Sequence, residues 1–94
     1  MTSVQTTRLA GVAGNIKESP GRLHWLAVTN LDTDNRYVSL NDATSGATGA
    51  LQQFFVTARG TEVFSFNPPI SCSVGIRISV FHHADMVVLG GYSE

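Results

Sequence analysis

Apolar and polar residues alternate along most of this chain with a period of two, and no stretch sustains the 3.6-residue period of an amphipathic helix. Short runs of β-branched and aromatic residues recur between clusters of Gly, Pro, Asn and Asp. This spacing predicts strands at Val4–Leu9, Asn15–Glu18, Arg22–Asn30, Arg36–Asn41, Leu51–Thr57, Glu62–Asn67, Gly75–His82 and Met86–Tyr92. Eight short strands with no helix predict an all-β fold: a two-sheet antiparallel sandwich, jelly-roll-like, in one domain spanning residues 1–94.

Alternation also assigns faces. Ile76, Ile78 and Val80 are expected to point one way, with Arg77, Ser79 and Phe81 the other; Phe64 and Phe66 share a face. The run Leu23-His24-Trp25-Leu26-Ala27-Val28 is apolar on both faces, as is Val87-Val88-Leu89, so both strands read as central or covered by a further surface. If Leu26 and Val28 face the intersheet core, Trp25 turns outward, where another subunit would bury its indole.

Turn residues mark the breaks. Ser19-Pro20-Gly21 suits a type II turn with φ above zero at the glycine, and Arg59-Gly60 is expected to close a hairpin between Phe54–Val56 and Val63–Phe66. Asp32-Thr33-Asp34-Asn35 can hold a loop through Asx-type hydrogen bonds, and Asn67-Pro68-Pro69 is expected to leave the sheet. The small, polar run from Asp42 to Gly49 is the longest expected loop and a candidate partner-facing segment.

Composition narrows the function classes. In 94 residues only 14% are charged, below the roughly 25% of ordinary domains, so much of the surface is neutral. A net charge of −1 with scattered basic residues argues against nucleic acid or an anionic membrane as partner. The N-terminal residues lack an apolar signal segment and no apolar run is long enough to span a bilayer, which places the chain in the cytosol unless lysis or packaging carries it out. A core this small favours oligomerisation, and the Thr-rich first strand is expected to pair with another chain.

Chemistry-bearing candidates are few. His82-His83-Ala84-Asp85 holds metal-ligand residue types, but adjacent histidines on a strand point to opposite faces, so no metal site is expected. Cys72 stands in Ile70-Ser71-Cys72-Ser73-Val74, a context for burial rather than activation; no Gly-x-Ser-x-Gly elbow occurs, and Gly11-Val12-Ala13-Gly14 lacks the Lys of a phosphate loop. His24, between apolar neighbours, reads as a hydrogen-bonded interface or core histidine. No catalytic residue and no cofactor is therefore expected. Trp25, Tyr37 and Tyr92 are the aromatics from which a sugar-binding platform could be built.

The segments Ser19-Pro-Gly-Arg-Leu-His-Trp-Leu-Ala-Val-Thr-Asn30, Arg36-Tyr-Val-Ser-Leu-Asn-Asp42, Val63-Phe-Ser-Phe66 and Val74-Gly-Ile-Arg-Ile-Ser79 resemble small virion proteins of tailed bacteriophages over roughly Lys17 to Tyr92. The resemblance implies a jelly-roll-like sandwich, located in the virion and made in the host cytoplasm, acting as a capsid decoration or cement subunit or as a tail-associated protein. The implied partners are copies of itself, in a symmetric homo-oligomer with a trimer favoured, and the major capsid protein or another virion protein. Interface candidates are Thr2, Val4 and Thr6 on the first strand, with Trp25, Tyr37 and Phe81 on later ones. The alternative is a carbohydrate-binding sandwich module.

Overall fold

The computed structural model describes residues 4–47 and 50–94. Eight strands form: β1 (Gln5–Ala10), β2 (Gly14–Lys17), β3 (Gly21–Asn30), β4 (Arg36–Asp42), β5 (Ala50–Val56), β6 (Thr61–Cys72), β7 (Ile76–Phe81) and β8 (Met86–Ser93). They make two antiparallel four-stranded sheets, sheet A in the order β1-β8-β3-β6 and sheet B in the order β2-β7-β4-β5. The first half of the chain thus runs antiparallel to the second, β1 against β8, β2 against β7, β3 against β6 and β4 against β5. A long hairpin wrapped so that successive strand pairs fall in alternate sheets is a jelly roll.

Period-two alternation sends one side chain of each pair between the sheets. Leu23, Leu26 and Val28 of β3 meet Val38 and Leu40 of β4, Ile76 and Ile78 of β7, and Val88 of β8, all with no exposed surface. Each such burial contributes roughly 1.5–3 kcal/mol before chain entropy is subtracted. β3 and β8 are indeed central strands, which explains why both of their faces carry apolar residues.

The structure departs from simple alternation where β-bulges intervene. The register between β4 and β7 shifts at Ser39/Leu40, so that Leu40 pairs Ile78 while Ser39 pairs Val80 and Val38 pairs Phe81. The extra residue, Ser79, reverses the alternation beyond it: Phe81 packs against the core rather than facing a partner, and Val80 stands opposite Ser39. A second bulge in β3, between Leu23 and Trp25, turns Leu23 inward while leaving Trp25 outward.

Four turn and strand-end expectations are also revised. Arg59-Gly60 closes no hairpin, because β5 pairs with β4 and β6 with β3; Gly60 N–H donates to Thr57 O at 3.1 Å, with Arg59 at φ 56°, in a turn that crosses between sheets. Asn67-Pro68-Pro69 stays within β6, where Trp25 pairs Ser65 and pairing resumes at Leu23 with Ile70. An edge strand tolerates proline because its missing N–H faces away from the ladder. Gly21 is not at positive φ but opens β3, where a Cβ would lie 2.6 Å from Lys17 Cδ and 2.7 Å from Ser93 O. The first strand is not unpaired, since Gln5 to Ala10 lie in register against Tyr92 to Val87 of the same chain.

Candidate interaction surfaces

The outer face of sheet A is built from β3, β6 and β8, and its three rows from Trp25 to Thr29 carry no charge. Leu89, Ala27 and Val63 stand in one row, with Ala27 paired to both neighbours; Val63 is 64% exposed and Leu89 37%. Val87, Thr29 and Thr61 form the next row, tied by a 3.1 Å hydroxyl contact between the two threonines. Gly91, Trp25 and Ser65 form the third. The indole of Trp25 lies directly over Gly91, so closely that any Cβ there would collide with its Nε1. Glycine thereby gives Trp25 a flat seat, and the side chain is half-buried within its own chain rather than wholly wet. Charge returns at the β1 edge, where Arg8 pairs with Leu89, and at the start of β3, where the exposed Arg22 pairs with Ser71 and Ser93.

On the outer face of sheet B a row of rings crosses three segments. Tyr37 of β4 stands 5.4 Å from Phe55 of β5 and 4.4 Å from His82 beyond β7, centroid to centroid, and His82 N–H donates to Tyr37 O at 3.0 Å. Phe55 is 66% exposed. The three aromatics weighed from sequence do not assemble: Trp25 lies on sheet A, Tyr37 on sheet B, and Tyr92 packs against the core with its hydroxyl donating to Gln5 Oε1 at 3.3 Å. Beyond the rings, Gln53 Nε2 reaches Ser39 Oγ at 3.4 Å, and Arg77 joins Asn15 Oδ1 at 3.1 Å to Gly46 O at 2.9 Å, holding the loop after β4 against the sheet.

The remaining interface candidates divide. Val4 and Thr6 are exposed at the β1 end and edge, Phe81 is turned inward, and Thr2 lies outside the described residues. His24 is half-buried, its Nε2 2.6 Å from Ser93 Oγ, as a hydrogen-bonded histidine should be.

The expected strand placement of the histidine pair is revised: β7 ends at Phe81, and both His82 and His83 lie in the turn before β8, pointing to different neighbours. His82 stacks on Tyr37, while His83 turns to Asp32 and Asp85, at 3.9 Å and 3.8 Å. Asp32, Asp85 and His83 are three ligand-type groups within 4.8 Å of one another. Their electrostatics are nevertheless those of an ion-pair cluster: Arg36 Nε sits 2.7 Å from the same Asp32 oxygen that His83 faces, and that hydrogen bond holds the Asp32 carboxyl below its ordinary range. A guanidinium on the would-be ligand atom repels a cation.

Asp42 ends β4 as an anchor. Its carboxylate accepts from the N–H groups of Ser73 at 2.9 Å, Val74 at 2.8 Å and Gly75 at 3.2 Å, and from the Ser73 hydroxyl at 3.1 Å. The Ser73 and Val74 amides chiefly, helped by Gly75 and the hydroxyl and opposed by desolvation, lower its pKa. A depressed carboxylate stabilises the fold above its unfolded pKa and loses that effect as pH falls through the folded value. Asp42→Asn is therefore expected to cost about 1–2 kcal/mol at neutral pH, discounted for solvent screening, with the deficit against wild type shrinking below about pH 4. Urea unfolding across pH measures it; a deficit independent of pH would assign the cost to packing.

Cys72 is buried beside this anchor. Desolvation first and the Asp42 charge second push its thiol up to about 11, the opposite of an activated nucleophile. The groove lined by Pro20, Arg22, Ser71 and Glu94 near it holds ≈ 230 Å³, less than the roughly 300 Å³ at which small-molecule sites begin. No protein-family model, curated protein or solved structure matches the chain.

Proposed function

We propose that this protein is a non-enzymatic structural subunit of a tailed phage virion, a capsid decoration or cement protein that attaches to the head through protein contacts. The observation that carries the reading is the uncharged patch on the outer face of sheet A, where Trp25, Ala27 and Leu89 of the central strands and Val63 of the edge strand β6 form an apolar surface. The jelly-roll strand order and the resemblance of the Ser19–Asn30 and Arg36–Asp42 segments to phage virion proteins support it. A tail position is a version of the same reading with a different host surface.

The test is co-sedimentation of purified protein with heads of the phage that encodes it. Trp25→Ala is expected to weaken attachment by about 2–4 kcal/mol, as loss of an aromatic anchor does, and Val63→Lys to abolish it, each with a native β-sheet signal. Full binding by both variants sinks the sheet A assignment. A second reading, carbohydrate binding, is favoured by the Phe55–Tyr37–His82 row. It gains if Tyr37→Ala loses a glycan that the wild-type chain binds while head attachment is unchanged.

A further inference from the structure

Two sheets leave four edge strands, β1 and β6 in sheet A and β2 and β5 in sheet B. Exposed edges invite pairing with other chains, and proteins guard them with charge, proline, bulges or short length. Three of the four are guarded. β1 carries Arg8; β2 has four residues, a register shift at Asn15/Lys17 and a lysine; β6 carries Glu62 and the Pro68-Pro69 interruption. β5, Ala-Leu-Gln-Gln-Phe-Phe-Val, has no charge, no proline and no glycine. Its one irregularity against β4 lies at its start, where Leu51 is the extra residue between Gln52 opposite Leu40 and Ala50 opposite Asn41, and it leaves Gln52 to Val56 in unbroken register. Leu51 is 51% exposed and Phe55 66%.

We infer that β5 is the self-association edge, pairing antiparallel with β5 of a second copy about a twofold axis at Gln53. The sequence is self-complementary about that residue. With Gln53 opposite Gln53, Phe55 of each copy stands opposite Leu51 of the other, giving two apolar cross-strand pairs around a neutral amide pair, and no like charges meet. Phe54 and Val56 keep their inward places in each core. The Phe55–Tyr37–His82 row of each copy then continues across the axis, covering the exposed Phe55 ring. The product is one eight-stranded sheet in the order β2-β7-β4-β5-β5-β4-β7-β2, an isologous dimer. It deepens the assembly reading by naming the partner and edge, and it makes the dimer rather than the trimer the first closed unit. The outer face of sheet A stays free for the head.

Sedimentation equilibrium on the full chain tests this. Wild type is expected to be a dimer. Gln53→Lys and Gln53→Glu each place like charges on the axis and should raise the dissociation constant about tenfold or more, while an equimolar mixture of the two should restore dimer mass. Gln53 is exposed, and its side-chain amide donates to the Ser39 hydroxyl at a long 3.4 Å, so both variants should keep the native β-sheet signal. On the unaltered chain, amide exchange in β5 should slow with rising concentration while exchange in β1 does not. A wild-type monomer up to about 1 mM, or single variants with unchanged dimer mass, overturns the proposal. Failure to bind heads with the dimer intact would instead remove the virion reading and leave this one standing.

Discussion

Phe54→Ala is expected to destabilise the isolated chain by about 4 kcal/mol, near the upper end for loss of a buried aromatic. Phe54 is 2% exposed and lies inward on β5, with the rings of Phe64 and Phe66 at 4.8 Å and 5.8 Å. Those rings belong to β6, the edge strand of the other sheet. Neither β5 nor β6 has a second neighbour in its own sheet, so this aromatic trio holds the open flank of the sandwich together across the core. Truncation removes the transfer energy of the ring and leaves a cavity between two strands that can each peel away. The adjacent Phe55→Ala supplies the contrast, because an exposed ring on the outer face should cost the monomer no more than about 0.5 kcal/mol. Urea unfolding of the two variants separates the cases, and equal losses would mean that β5 is not held by its inner face.

That contrast marks how far the sequence can be read. Phe54 and Phe55 are adjacent and chemically alike, and only pairing with Val38 and Tyr37 decides which is core. Where alternation is unbroken, as at Ile76 and Ile78, the inward assignment follows from period two alone. Past Ser79 it fails, because a bulge is one inserted residue with no compositional mark in this chain, and Phe81 changes face as a result. The strand positions are legible because Gly, Pro, Asn and Asp punctuate them. The wrapping that sets β5 against β4 rather than β6 is non-local, and Arg59-Gly60 would suit a hairpin or a crossing between sheets equally well.

Interaction surfaces are legible in the same partial way. Trp25 is an outward aromatic because Leu26 and Val28 are core, but nothing in the sequence says that its seat is Gly91, some 66 positions later. The Phe55–Tyr37–His82 row has no sequence signal at all, since its members meet only through the β4–β5 register and the turn after β7. The strand geometry expected for the His82-His83 pair does not apply, because both lie in the turn after β7, and the carboxylate that His83 faces, Asp32, comes from a loop fifty-one positions earlier. Edge protection is the exception: charge and proline in β1, β2 and β6, and their lack in β5, are plain in the sequence once the strand order is known.

Asn30→Ala is expected to cost about 3 kcal/mol, a large loss for a polar residue at a strand end. Asn30 has no exposed surface, and its side-chain amide donates to Asp34 O at 2.8 Å, Val56 O at 3.2 Å and Thr57 O at 3.3 Å. Its Oδ1 accepts from the Asp32 N–H at 3.0 Å, and its backbone N–H donates to Gly60 O at 2.8 Å. One residue thus joins the end of β3 to the loop before β4 and to the turn between β5 and β6. The neighbouring Leu31 N–H donates to Asp85 O at 2.9 Å, which brings the turn before β8 to the same end of the sandwich. Alanine strands carbonyls in a place where water cannot readily replace the amide, and each unpaired buried group costs about 1–3 kcal/mol. Asn30→Asp keeps the shape but exchanges the donor for a charge facing three carbonyl oxygens, so it should be at least as damaging at neutral pH. Burial and those carbonyls raise the pKa of the new carboxyl, and its protonated form can donate one hydrogen bond. The aspartate variant should therefore recover stability relative to wild type as pH falls through that raised value, its carboxyl acting with the opposite sign to the native Asp42 carboxylate, which stabilises less as pH falls. Urea unfolding of Asn30→Asp from neutral to acid pH measures the recovery, and a deficit that stays constant across that range would mean that the amide's donor bonds are not what holds this end closed.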